Sequence, residues 1–225
     1  MKKISVNGLV EFRKKSNRAK KTFVEKIKSN KVETPSESGG NYWVSSLSAV
    51  CNSYKTGSFD TIDEKIDELQ KKLDDTEATR TKNMYKRNIS ILQKYKSIDL
   101  KKLRPGGKLS FLKKSTGNPL LTIKGLQIEA KPSHIYTFGK KEEEQIGAIW
   151  FIIKKDGYRI DEVGMFCDML YRFLKHNYVK KYQLLLQNCL AVDILSSQVI
   201  NYSEIEDGTV SQILNATLDE INRLM

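Results

Sequence analysis

The chain has 225 residues, a formal net charge of +12, 39% hydrophobic and 29% charged residues. That is enough for one large domain or a domain with a helical extension, and the apolar residues are patterned, which excludes a disordered chain. No apolar run approaches the roughly 20 residues of a membrane-spanning helix, and the start MKKISVNGLVEF lacks the apolar stretch of a secretory signal.

Taken in order, Asn7 to Asn30 reads as a helix with a thin apolar stripe (Leu9, Phe12, Ala19, Phe23, Ile27) and a cationic centre, RKKSNRAKK. Lys31 to Gly40, with Pro35 and two glycines, reads as a linker. Asn41 to Tyr54 is an amphipathic helix, broken at Gly57. Asp60 or Thr61 caps a helix over Ile62 to Leu73, whose Ile62, Ile66, Leu69 and Leu73 form a seam opposite an acidic face of Asp63, Glu64, Asp67 and Glu68. Thr76 caps a third helix, Glu77 to Tyr95. Helical structure stops at LRPGG, Leu103 to Gly107.

The second half reads as β-β-β-β-α-β-β-α. Lys108 to Leu112 is a short strand, Ser115 to Pro119 a turn and Leu120 to Ile123 the next strand. Alternation from Leu126 to Ala130 and at Ile135 and Phe138 suits strands with one wet face. The almost continuously apolar Ile146 to Ile153 suits a strand buried on both faces. After the Asp156-Gly157 turn, Asp161 and Glu162 open a helix at its positive dipole end, with Val163, Cys167, Leu170 and Leu174 at helical spacing, and it runs to Tyr178. Gln187 to Leu195 and Gln198 to Tyr202 are strands joined at Ser196-Ser197, and Asp207 or Thr209 caps a last helix. The expected class is α+β, with a helical N-terminal part packed on a C-terminal mixed β-sheet domain carrying two helices. Its expected divisions are a basic helix and linker (1–40), a helical subdomain (41–104) and a sheet domain (105–225).

Charge is unevenly spread. From Met1 to Glu33 eleven Lys/Arg face three Glu, and from Arg80 to Lys108 ten Lys/Arg face only Asp99. From Asp156 onward ten Asp/Glu outnumber six Lys/Arg. Such asymmetry points to a polyanion partner. The candidate phosphate contacts are Arg13, Lys14, Lys15, Arg18, Lys20 and Lys21 in the first stretch, and Arg80, Lys82, Lys86, Arg87, Lys101, Lys102 and Arg104 in the second. Tyr85 and Tyr95 lie among the cations of the second and suit either base stacking or the core of a helix bundle. A lysine-rich surface that serves solubility accounts for the same composition.

Glu129-Ala130-Lys131 resembles the ExK element of restriction-endonuclease-like (PD-(D/E)xK) nucleases. That resemblance implies Glu129 and Lys131 as catalytic residues and Glu129 as an Mg²⁺ ligand. A carboxylate pair holds the hard cation against phosphate oxygens, and the cation acidifies water. No Asp or Glu lies between Asp99 and Glu129, so the second metal carboxylate falls to Asp99 or Asp193. A solvent-facing Glu–Lys pair on an alternating strand is the alternative reading of the triplet. The pieces Lys131-Pro132, Gly147-Ala148-Ile149 and Val192-Asp193 are similar to uncharacterised bacterial proteins of mobile or phage-defence loci, which implies a cytoplasmic accessory protein.

His134 suits a structural histidine, and His176 a cation at a helix C-terminus. Asp168 and Arg172 suit an i, i+4 surface pair, and Glu142-Glu143-Glu144 a solvated turn. Cys51, Cys167 and Cys189 are scattered, which argues against a disulfide framework or a zinc site and for a reducing cytoplasm. The sequence thus leads to a nucleic-acid-associated accessory protein with DNA or RNA as partner and no membrane. A nuclease using Mg²⁺ and an interaction module for an acidic protein partner are the alternatives. No cofactor is called for unless the chain is the nuclease.

Overall fold

The computed structural model describes residues 2–29, 42–113, 117–140 and 143–225. The predicted linker Lys31 to Gly40 lies outside the described residues, as do Ser115 and Thr116 of the predicted turn and Glu142 of the acidic turn. Among the described residues no helix is long and apolar enough to cross a membrane.

The centre is a five-stranded mixed sheet. Its order is β2 (Ser110–Phe111), β5 (His134–Phe138), β6 (Gln145–Ile152), β7 (Gln183–Asp193) and β8 (Gln198–Asn201). β6 and β7 are parallel, joined by α7 (Ile160–Tyr178), and the other neighbours are antiparallel. β6 is the predicted doubly buried strand. Ile146, Ala148, Trp150 and Ile152 enter the core shared with α7, while Ile149 and Phe151 enter the core on the opposite face. The parallel ladder shifts register between Ile146 and Ala148. Gly147 sits at that shift because a Cβ there would lie 2.8 Å from both the Asn188 carbonyl oxygen and Tyr136 Cε2.

The first core holds the apolar side of α7 together with α1 (Val6–Arg13), α2 (Asn17–Lys28) and α9 (Leu214–Arg223). It also takes a three-stranded sheet in the order β1 (Ile4–Ser5), β4 (Leu126–Glu129), β3 (Leu120–Ile123). The second core is covered by α3 (Val44–Thr56), α4 (Asp60–Asp75), α5 (Thr79–Lys96) and the single turn α6 (Leu100–Leu103). Tyr54, Tyr95 and Tyr136 are its largest fully buried side chains, and Tyr54 and Tyr95 both meet Phe151. Tyr95 is therefore a core residue and leaves no ring for base stacking.

Several expectations need correction. The first predicted helix is two, because Ser16 turns out of helical geometry and its Oγ accepts from the Ala19 N–H. The N-terminal segment is built into the first core: β1 pairs in parallel with β4, and Leu9, Val10 and Phe12 are fully buried. β7 starts four residues before the predicted Gln187, since its N-terminal part pairs with Gln145 and Ile146. The strand predicted to reach Tyr202 yields there to α8 (Tyr202–Glu206), where Glu204 accepts from the Asn201 N–H. Asp207 closes a turn by accepting from the Thr209 N–H, and α9 begins only at Leu214. Asp168 and Arg172 are no surface pair. Asp168 is 1% exposed and accepts from Arg172 Nε at 2.8 Å and Nη2 at 3.2 Å.

Candidate nucleic-acid interface

The carboxylates singled out for metal chemistry fall on separate elements, each engaged by the protein itself. Glu129, at the end of β4, is held by Lys3 Nζ at 2.6 Å and Lys131 Nζ at 2.8 Å. Burial works to raise its pKa, but hydrogen bonds and charge from Lys131 and Lys3 outweigh this and hold it below the ordinary glutamate value. Asp193 ends β7 and is fully buried. Its Oδ2 accepts from the Tyr158 N–H at 2.9 Å and the Ser196 hydroxyl at 2.7 Å, and its Oδ1 from the Leu195 N–H at 3.2 Å. This fixes the loop into α7 against the β7–β8 turn. Asp99 caps α6 by accepting from the Lys101 N–H at 3.0 Å.

Among the described residues no group of three or more His, Cys, Asp or Glu is placed to hold a metal ion. Glu129, Asp99 and Asp193 instead serve as ion-pair, capping and loop-fixing acceptors within the fold. His134 also has a packing role: its Nε2 lies 2.8 Å from the Cys51 carbonyl oxygen and its ring stacks on Tyr54.

The cations of the first basic stretch divide into two groups. Arg13 donates to Thr217 Oγ1 at 3.2 Å, Lys14 pairs with the buried Glu162 at 2.8 Å, and Lys20 pairs with Glu220 at 2.7 Å. The hydrogen bond from Lys14 to Glu162 raises the ammonium pKa. These three join α1 and α2 to α7 and α9 across 148 to 204 residues of sequence. Glu162 also accepts from the Arg159 N–H at 3.1 Å, so one carboxylate closes the α7 N-terminus and receives α1's lysine. Lys15, Arg18 and Lys21 make no such bond among the described residues. Lys15 and Arg18 flank a groove along α2, with Phe23 and Lys26, of about 330 Å³.

The second stretch lies on α5 and α6. One stripe of α5 carries Arg80, Asn83, Arg87, Ser90, Lys94 and the capping Ser97, all exposed, at alternating spacings of three and four residues; Lys101 is exposed on α6, beyond the extended backbone at Asp99. The stripe contains no acidic side chain. Arg80, Lys86, Lys94, Lys101 and Lys102 have no ion-pair partner among the described residues. Lys82 meets the exposed Glu77 only at 3.4 Å. Lys96, beside the stripe, pairs with Asp63 of α4 at 2.5 Å. Arg87 donates to the Tyr42 hydroxyl at 3.2 Å and lies over its ring at 5.8 Å; with Arg80 and Asn83 they line a groove of about 500 Å³. At the other end Arg104 lies over the Tyr54 ring at 5.4 Å, beside a cavity it shares with Lys101.

Sequence reasoning named these cations individually. It missed Asn83, Ser90 and Ser97, the neutral polar members of the stripe, and Tyr42, which orients Arg87. The signal was present in the three–four spacing of polar residues between Arg80 and Ser97. No protein family matches the chain, nor does any curated protein or solved structure.

Proposed function

We propose that this chain is a nucleic-acid-associated accessory protein that holds phosphate backbone along the exposed cations of α5 and α6. The observation that carries the reading is the contrast between the two basic stretches. Arg13, Lys14 and Lys20 are engaged within the fold, whereas α5 presents Arg80, Arg87 and Lys94 on one stripe, with Lys101 exposed on α6 beyond it and no carboxylate among them. α5 has 18 residues, about 27 Å at 1.5 Å per residue. A strand with one phosphate every ~3.4 Å of duplex axis passes several phosphates over that length. Asn83, Ser90 and Ser97 supply neutral hydrogen-bonding groups between the cations, the mixture that phosphate and sugar contacts use. The three cysteines, all among the described residues, form no disulfide, which supports a reducing, cytoplasmic setting.

The test is binding of labelled single- and double-stranded DNA and RNA over a range of salt, with and without Mg²⁺. Each phosphate contact contributes about −0.9 to the slope of log affinity against log salt for duplex DNA and about −0.7 for single strands. Replacing Arg80, Arg87, Lys94 and Lys101 with Gln should flatten the duplex slope by roughly 3.6. Equal replacement of Lys15, Arg18 and Lys21 should flatten it less. An unchanged slope in the α5–α6 variant refutes the proposal. Mg²⁺-dependent cutting that vanishes in Glu129→Ala would move the nuclease reading to the front.

A further inference from the structure

Arg104 is built into the fold in a way its neighbours on the stripe are not. Its guanidinium lies over the ring of fully buried Tyr54 at 5.4 Å. On Gly57 a Cβ would come within 3.3 Å of its Cζ and 3.4 Å of its Nη2. Gly57 has a φ of +77°, closes α3 and leaves no side chain to displace the guanidinium. Arg104 makes no ion pair among the described residues, and its Nη1 is buried with no hydrogen-bond partner.

A buried cationic donor without an acceptor is expensive, and native folds seldom keep one without a reason. Arg104 also helps to wall an open cavity of about 310 Å³, together with Gly57, Leu100, Lys101, Pro105 and Gly106. Those walls carry two cations and no carboxylate. The nearest acidic side chain in sequence, Asp99, is turned to the Lys101 N–H.

We propose that this cavity is a site for one phosphate group, gripped by the Arg104 guanidinium with Lys101 at the rim. The planar fork of arginine matches two oxygens of a tetrahedral oxyanion, and a lysine adds a point charge without fixed geometry. The glycines give the group room, and the Tyr54 ring holds the fork in place before the ligand arrives. Lys101 belongs to the cavity wall and is exposed on α6, which follows the α5 stripe in the chain. The inference therefore deepens the phosphate-backbone reading and rests on it for the source of the group: a strand following the stripe delivers a phosphate here.

The experiment measures the thermal midpoint of the full chain in inorganic phosphate against chloride at matched ionic strength. At about ten times its Kd, phosphate should raise the wild-type midpoint by roughly 3 °C or more. The rise should disappear in Arg104→Gln and shrink in Arg104→Lys, which keeps the charge and loses the fork. Lys101→Gln, on an exposed position that leaves the core intact, should halve it and keeps the test open if Arg104→Gln fails to fold.

Two further arms identify the source. An oligonucleotide bearing a 5′-phosphate that binds ten-fold tighter than its 5′-hydroxyl twin assigns a strand end. Equal affinities with competition by inorganic phosphate assign an internal phosphate. A mononucleotide that binds when no oligonucleotide does keeps the site and overturns the strand reading. No phosphate-specific shift in the wild type, or the same shift in all three variants, overturns the site. If oligonucleotide binding then persists with its salt slope unchanged in Arg104→Gln, the stripe stands alone.

Discussion

Asp193→Asn tests whether that carboxylate belongs to the architecture or to a metal. The side chain is fully buried and accepts three hydrogen bonds. Asparagine has the same shape but one acceptor oxygen. If its amide nitrogen takes the place of Oδ2, it faces the Tyr158 N–H at 2.9 Å; if it takes the place of Oδ1, it faces the Leu195 N–H at 3.2 Å. Either way one backbone donor loses its acceptor, about 1–3 kcal/mol, and the surviving bonds lose their charge assistance, about 1 kcal/mol more. The total comes to roughly 2–4 kcal/mol. With an m value of ~3 kcal/mol/M, this lowers the urea midpoint by roughly 0.7–1.3 M. The assay is equilibrium urea unfolding followed by fluorescence, with m compared between the two proteins. A midpoint within about 0.2 M of wild type refutes the reasoning, and an unchanged midpoint with loss of an Mg²⁺-dependent activity would make Asp193 a ligand.

Gly147→Ala places a methyl 2.8 Å from both the Asn188 carbonyl oxygen and Tyr136 Cε2, so it should cost about 3 kcal/mol in the same assay; a neutral variant would mean the register shift of β6 is not fixed by this contact. Glu129 has a folded pKa below its ordinary value of 4.5. Its stabilising effect is thus present at neutral pH and lost as pH falls through the folded value, and from pH ~5 to ~3 Glu129→Gln should lose less stability than wild type. A parallel pair of stability–pH curves would refute this. Burial raises the thiol pKa of both Cys167 and Cys189, while Cys51 is half-buried. Native protein should therefore release one thiol equivalent quickly to a disulfide reagent and the rest only on unfolding, and fast labelling of Cys167 or Cys189 would contradict their packing.

The legible parts of this fold were those where one local pattern decides the outcome. β6 was readable because eight apolar residues in a row suit only a strand covered on both sides, and α7 because its acidic opening precedes a wide apolar face. The α3–α5 bundle followed from three separate seams with short connections. What escaped the sequence was non-local. β1 is two residues long and exists only through its pairing with Ile128 and Glu129. Glu129 was readable as half of a Glu–Lys pair, but nothing near it in sequence names Lys3 as a second partner. Arg172 and Asp168 were readable as neighbours at i, i+4; their burial depends on how α7 meets β7 and α8. The ExK triplet cannot by itself locate a metal site for the same reason. Three residues fix a spacing along one strand, while a metal centre requires carboxylates from other elements to converge on it.

Net charge carries the same lesson with more consequence for function. A count of lysines and arginines treats the two basic stretches alike, near +8 and +9. Their surroundings differ. Helices α7 and α9 bring Glu162 and Glu220 to the first stretch, so part of its charge closes the molecule: the mildly acidic C-terminal third is the counterpart of the basic N-terminus. Helix α4 lies beside the second stretch and is acidic, yet of its acidic residues only Asp63 pairs with α5, at Lys96. Glu68 instead takes Lys65 and Lys72 of its own helix. Apart from Lys82 and Lys96, the cations from Arg80 to Arg104 are thus left without a carboxylate partner among the described residues. Uncompensated like charges on one helix repel one another, and a fold that keeps them gains more from an external polyanion than a fold that has already neutralised them. That difference between paired and unpaired charge, more than the total of +12, locates the phosphate-binding surface on α5 and α6 in the reading proposed for this chain.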